Sequence, residues 1–192
     1  MILPIIAYGS PVLRKECEEI DASYPELTEL IANMFATMEN ANGIGLAAPQ
    51  IGLGVRLFII DSTPLAEDEE SKTAVEAVRK VFINPEIMGE EGKEWKFNEG
   101  CLSIPEIRED VYRKSDILIS YYDENFQYHE DKFSGILARI IQHEYDHIEG
   151  TLFVDYLSPL KKRLLKRKLT EIAEGKISVD YKMKFPNLKK TR

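Results

Sequence analysis

The stretch His143-Glu144-Tyr145-Asp146-His147 organises the chain. Two imidazoles four residues apart, with a carboxylate beside the first, are the residue types that a metal-activated water requires. On a helix rising about 1.5 Å per residue the two rings share a face about 6 Å apart along the axis, so both can reach one ion. Glu144 then lies beside the metal and not on it. Upstream, Ile136, Ile140, His143 and His147 form one stripe at helical spacing, and Leu137, Ile141, Glu144 and Ile148 form its neighbour. The spacing predicts a largely buried helix from about Gly135 to Glu149, with Ser134 as its N-cap and Gly150 as the C′ glycine. Two histidines on an apolar stripe also fit a satisfied core, so the metal reading calls for a third ligand from elsewhere.

A chain of 192 residues with 44% hydrophobic content suffices for one domain plus an appendage, and its charge is too moderate for wholesale disorder. No apolar run approaches the roughly 20 residues of a membrane span, and the opening MILPIIA has neither a basic leader nor a small-residue cleavage site. A soluble, unexported protein is expected. Cys17 and Cys101 make at most one disulfide, which suits a reducing cytoplasm. Cys17 lies among charged residues with no histidine near it in sequence and reads as an ordinary thiol. The net charge of −8 divides unevenly, into −17 over residues 1–158 and +9 over residues 159–192. We therefore expect a catalytic domain over 1–158 and a basic C-terminal helix and tail over 159–192, appended to the same domain.

Along the chain, Leu27, Leu30, Ile31, Met34, Phe35 and Met38 mark an amphipathic helix after Tyr24-Pro25, ending at Asn40-Ala41-Asn42-Gly43. The run Gly43 to Gln50 matches a dinucleotide fingerprint superficially. It follows a helix where that fingerprint needs a strand, and no Gly-Lys-Ser/Thr follows for a phosphate loop. Strands are expected at Val55 to Ile60, Val81 to Ile83 and Trp95 to Phe97, with an acidic surface insertion over Pro64 to Lys80. Ile117 to Tyr122 and Phe126 to Phe133 read as a hairpin about Asp123-Glu124-Asn125, leading into the histidine helix. Alternation places His129 on the polar face of that hairpin, opposite Tyr128. From Pro159 to about Glu174 a basic helix should bury Leu160, Leu164, Leu165, Leu169 and Ile172, with a strand at Ile177 to Tyr181 beyond it.

Glu99-Gly100-Cys101-Leu102-Ser103 supplies the third ligand type, a cysteine beside a glycine that permits close backbone approach. One cysteine and two histidines leave a position open for water, which is the catalytic arrangement and not the structural one. The Gly43 to Gln50 run, the Glu99 to Ser103 run and Gln142 to His147 followed by Ile148-Glu149-Gly150 together resemble the three signature motifs of the peptide deformylase family, in order. The match reaches from the first helix to about residue 160, with Ile148 where leucine is usual.

The resemblance implies an α+β fold, with antiparallel β-sheets packed around the helix that carries the histidine motif. It implies removal of the N-formyl group from the initiator methionine of nascent polypeptides, with release of formate. Cys101, His143 and His147 would hold one divalent ion, Fe2+ in the native enzyme and Zn2+, Ni2+ or Co2+ in purified protein. Glu144 would be the general acid and base, and the Gln50 side chain with the Leu102 backbone N–H would polarise the formyl oxygen. Gly43, Ile44, Gly45 and Gly100 would pair with the substrate backbone, Ile136 and Ile140 would wall the methionine pocket beside Arg139, and Arg113 would pair with Asp146 behind the ligands. The basic tail suggests a ribosomal contact, and no membrane partner is expected. Two other readings are a zinc endopeptidase taking Glu171 as its third ligand, though the longer metzincin motif is absent, and a nonenzymatic metal-stabilised module on the ribosome.

Overall fold

The computed structural model describes residues 1–67 and 75–187. Part of the acidic run, Asp68 to Glu70, and the last five residues of the tail lie outside the described residues. Helix α1 (Leu27–Asn40) turns Leu27, Ile31, Met34, Phe35 and Met38 inward as its spacing requires, and stops where Asn42 takes a left-handed φ of 52°. Strands β2 (Gly45–Ala47), β3 (Leu57–Asp61), β4 (Arg79–Cys101), β5 (Ile104–Tyr122) and β6 (Tyr128–Ser134) form one antiparallel sheet in chain order. β4 and β5 make a long hairpin whose register shifts four times, with the last shift between Gly100 and Cys101, so the cysteine leaves the regular ladder at the mouth of the site. A two-residue turn, Leu102-Ser103, joins them.

A short helix α2 (Thr63–Ala66) follows β3, and helix α3 (Gly135–Ile148) lies against this sheet. Leu137, Ala138, Ile141 and Ile148 pack on Phe58, Ile60, Phe82, Ile117 and Phe133. Ser134 is the N-cap position, and Gly150 follows the C-cap at φ 70°, where a Cβ would meet the Arg14 backbone at 2.8 Å. Burying the apolar row against the sheet turns the histidine row toward the hairpin mouth. No helix among the described residues is long and apolar enough to cross a membrane.

Four details differ from the sequence reading. The second sheet is parallel: β1 (Ile5–Ile6) pairs with β7 (Met183–Lys184), and Ile177 to Tyr181 is not a strand, because the edge offered by β1 is met two residues later. Helix α4 (Pro159–Ala173) buries Leu169, Ile172 and Ala173 and half-buries Leu165, but leaves Leu160 and Leu164 68% and 72% exposed, since they lie on another side of the helix. The third concerns His129, which shares the inward face with Phe133, stacks on Tyr121 at 5.3 Å and pairs with Asp123 at 2.9 Å, while Tyr128 faces solvent. Finally, β5 begins at Ile104, well before the strand expected at Ile117.

Candidate active site

The helix brings His143 and His147 together, with ring centroids 5.2 Å apart. The hairpin mouth brings Cys101 to them, its Sγ 3.2 Å from His147 Nε2. One ligand atom from each of Cys101, His143 and His147 lies within 4.8 Å of the others. A thiolate and two imidazole nitrogens at this spacing suit a small divalent transition ion. His143 Nδ1 faces the Glu99 carboxylate at 2.9 Å, which leaves Nε2 for coordination.

Glu99 was quoted in the sequence only as a neighbour of Cys101, and in the structure it is the hub behind the site. It is buried, accepts two hydrogen bonds from Arg113 at 2.7 and 3.0 Å, and accepts a third from Arg139 at 2.9 Å. Burial alone would raise its pKa, but His143 and Arg113 together hold it well below the usual carboxylate range. Arg113 pairs with Asp146 at 2.7 Å, and Tyr156 donates to the other Asp146 oxygen at 3.0 Å. Arg139 is buried too, and it donates to the Trp95 and Val111 carbonyls with its guanidinium over the Trp95 ring. Only contiguous motifs were visible in sequence, so the long-range partner that makes Glu99 important was not.

Glu144 is buried beside the cluster, and its Oε2 has no hydrogen-bond partner. Burial pushes its pKa up to about 7, with Glu99 and Asp146 adding to the rise against His143. Gly45 makes room for this carboxylate, since a Cβ there would run into Glu144 Oε1. Gln50 is fixed by accepting from Ala47 N at 2.8 Å, and its Nε2 lies 3.5 Å from Cys101 Sγ and 3.4 Å from Ser103 Oγ.

A cleft of about 660 Å³ opens onto this centre. Gly43, Ile44, Gly45, Gln50, Gly100, Cys101, Leu102, Ile136, Ile140, His143 and Glu144 all line it, while His147, Arg113 and Asp146 stand behind. Arg139, expected beside the pocket, lines it as well, and so do Phe97, Ile107 and Tyr181, which were not foreseen as wall residues. Glu171, the ligand an endopeptidase would need, instead pairs with Arg167 on α4 at 2.9 Å.

The sequence model described as polypeptide deformylase matches residues 2–163. Peptide deformylases of Christiangramia forsetii and Flavobacterium johnsoniae are 63% and 55% identical to this chain, each alignment covering 100% of both proteins. Among solved structures, a peptide deformylase from Legionella pneumophila is 38% identical with a TM-score of 0.77, covering 89% of this chain and 95% of its own. Peptide deformylase 1B of Arabidopsis thaliana, in complex with an inhibitor, is 35% identical with a TM-score of 0.78, covering 91% of each chain. Three spaced motifs, one shared fold and full-length relatives agree, and the chain belongs to the peptide deformylase family.

Proposed function

We propose that this deformylase removes the N-formyl group of nascent peptides with Cys101, His143 and His147 as ligands of one divalent ion and Glu144 as the proton carrier. The observation that supports it is the meeting of those three ligand atoms beside a buried carboxylate with one oxygen unpartnered. A divalent ion held there supplies Lewis acidity that makes water a nucleophile at neutral pH. Glu144 Oε2 takes the proton from the attacking water and delivers it to the departing amine nitrogen, a task suited to a carboxylate poised near neutrality. The Gln50 Nε2 donors and the Leu102 N–H stabilise the developing charge on the formyl oxygen. Glu99 keeps the His143 ring turned so that Nε2 would be free to hold an ion, and Arg113, paired with Asp146, holds Glu99 from behind.

The substrate backbone lies along Gly43, Ile44 and Gly45 on one side and Gly100 on the other, as an added strand. Ile136 and Ile140 meet the methionine side chain. The native ion is Fe2+, with Zn2+, Ni2+ or Co2+ replacing it in purified protein, since the donor set accepts all four. The protein works in the cytoplasm. The basic tail docks on ribosomal RNA near emerging chains, a reading supported by the exposed Lys162, Arg163, Lys166 and Arg167 on α4. Neutralising these four should abolish salt-dependent ribosome binding while peptide hydrolysis persists.

Bound metal and formate release, measured for three variants, test the centre. Glu144→Gln should keep its metal and lose about 10² to 10⁴ in turnover. Cys101→Ala should lose the metal, and Glu171→Ala should lose neither. A metal-replete, active Cys101→Ala protein would refute the ligand assignment.

A further inference from the structure

Tyr181 lies outside residues 2–163, the part matched by the family, yet it lines the substrate cleft. Its hydroxyl donates to the Leu102 carbonyl at 2.8 Å. The next carbonyl in the chain, that of Ser103, accepts from Tyr8 N at 2.9 Å. Both carbonyls of the two-residue turn between β4 and β5 are therefore held, one by Tyr181 of the C-terminal segment and one by Tyr8, two residues beyond β1. The holders are themselves fixed together: Ile5 N donates to Lys182 O at 2.8 Å and Ala7 N to Lys184 O at 2.9 Å. The Leu102 N–H belongs to the Cys101–Leu102 peptide, which is hinged at the Leu102 Cα to the held Leu102–Ser103 peptide, so releasing the Leu102 carbonyl would let that Cα shift and carry the N–H out of line.

We propose that Tyr181 is a positioning residue for deformylation: it clamps the Leu102-Ser103 turn so that the Leu102 N–H remains aimed at the formyl oxygen. The proposal rests on Leu102 serving as an oxyanion donor. A misaimed donor costs part of the 10²- to 10³-fold that complete loss of one costs.

The test is Tyr181→Phe, which keeps the ring and its packing and deletes one hydroxyl. We expect kcat to fall about tenfold with KM unchanged, equally for formyl-Met-amide and formyl-Met-Ala-Ser, because the defect lies at the formyl oxygen that both share. Bound metal and the unfolding midpoint should match the unsubstituted protein. Unchanged kcat would overturn the proposal, and so would a loss confined to KM of the longer peptide, which would make Tyr181 a wall and nothing more. Absence of formate release from the unsubstituted protein would instead refute the functional reading, so the two failures are distinct.

Discussion

Glu99 and His143 meet at 2.9 Å, carboxylate Oε2 to ring Nδ1, with Glu99 buried and His143 on the wall of the cleft. This contact fixes which ring nitrogen carries a proton, and with it which one is available for an ion. Glu99→Gln should weaken metal affinity about 10- to 100-fold, measured by chelator competition. Glu99→Ala should go further and lower stability by about 3 to 5 kcal/mol, read by urea unfolding, since Arg113 and Arg139 would be left without their shared counter-charge.

Gly45→Ala is expected to keep the metal and lose activity. The added methyl collides with Glu144 Oε1, and the carboxylate must move. A displacement of about 1 Å at a catalytic group costs on the order of 10²-fold. Formate release should fall by about that much while bound metal stays stoichiometric.

Substrate preference follows from the apolar wall. Ile136 and Ile140 line the cleft, and losing a few methylenes of contact there costs about 1 to 3 kcal/mol. Formyl-Ala peptides should run roughly tenfold or more below formyl-Met peptides in kcat/KM, and Ile140→Ala should narrow the gap. Equal rates for the two peptides would refute the pocket.

Acid sensitivity should show at Asp61. Burial alone would raise its pKa, but hydrogen bonds from Thr63 and the contact with Arg79 at 2.5 Å reverse the effect and leave it depressed. A depressed carboxylate contributes stability that is present above its unfolded value of about 3.9 and disappears as pH falls through the folded value. Arg79 is half exposed, so the contribution is screened and amounts to about 1 kcal/mol at most. Asp61→Asn should thus destabilise at pH 7, and the difference from the unsubstituted protein should shrink steadily below pH 4.

The cluster of Cys101, His143 and His147 beside Glu144 was legible as a candidate because these residues sit in short contiguous motifs, and because the i, i+4 spacing puts both histidines on one face of a helix. The cleft-lining glycines were legible for the same reason. The charge hub was not, since Arg113 and Arg139 reach Glu99 from other elements and nothing local marks them as buried. The first half of β5 was hidden by its own composition. Ile107, Val111 and Arg113 face inward at period two, but the charged residues between them read as loop, and a buried arginine breaks the apolar alternation. Helix α4 was placed well and its face misjudged, because a leucine-rich basic helix offers two apolar rows and only tertiary packing chooses between them.

The pairing of Ile5 with Met183 joins residues 178 positions apart in the chain. During synthesis at about 5–20 residues per second, the β1 segment waits roughly 10 to 35 s for its partner to be made. Until then Ile5 and Ile6, buried in the finished protein, present an unpaired strand edge of the kind that recruits other chains. The hazard of misassembly is therefore concentrated in the newborn enzyme, and it ends when the last strand closes over the first.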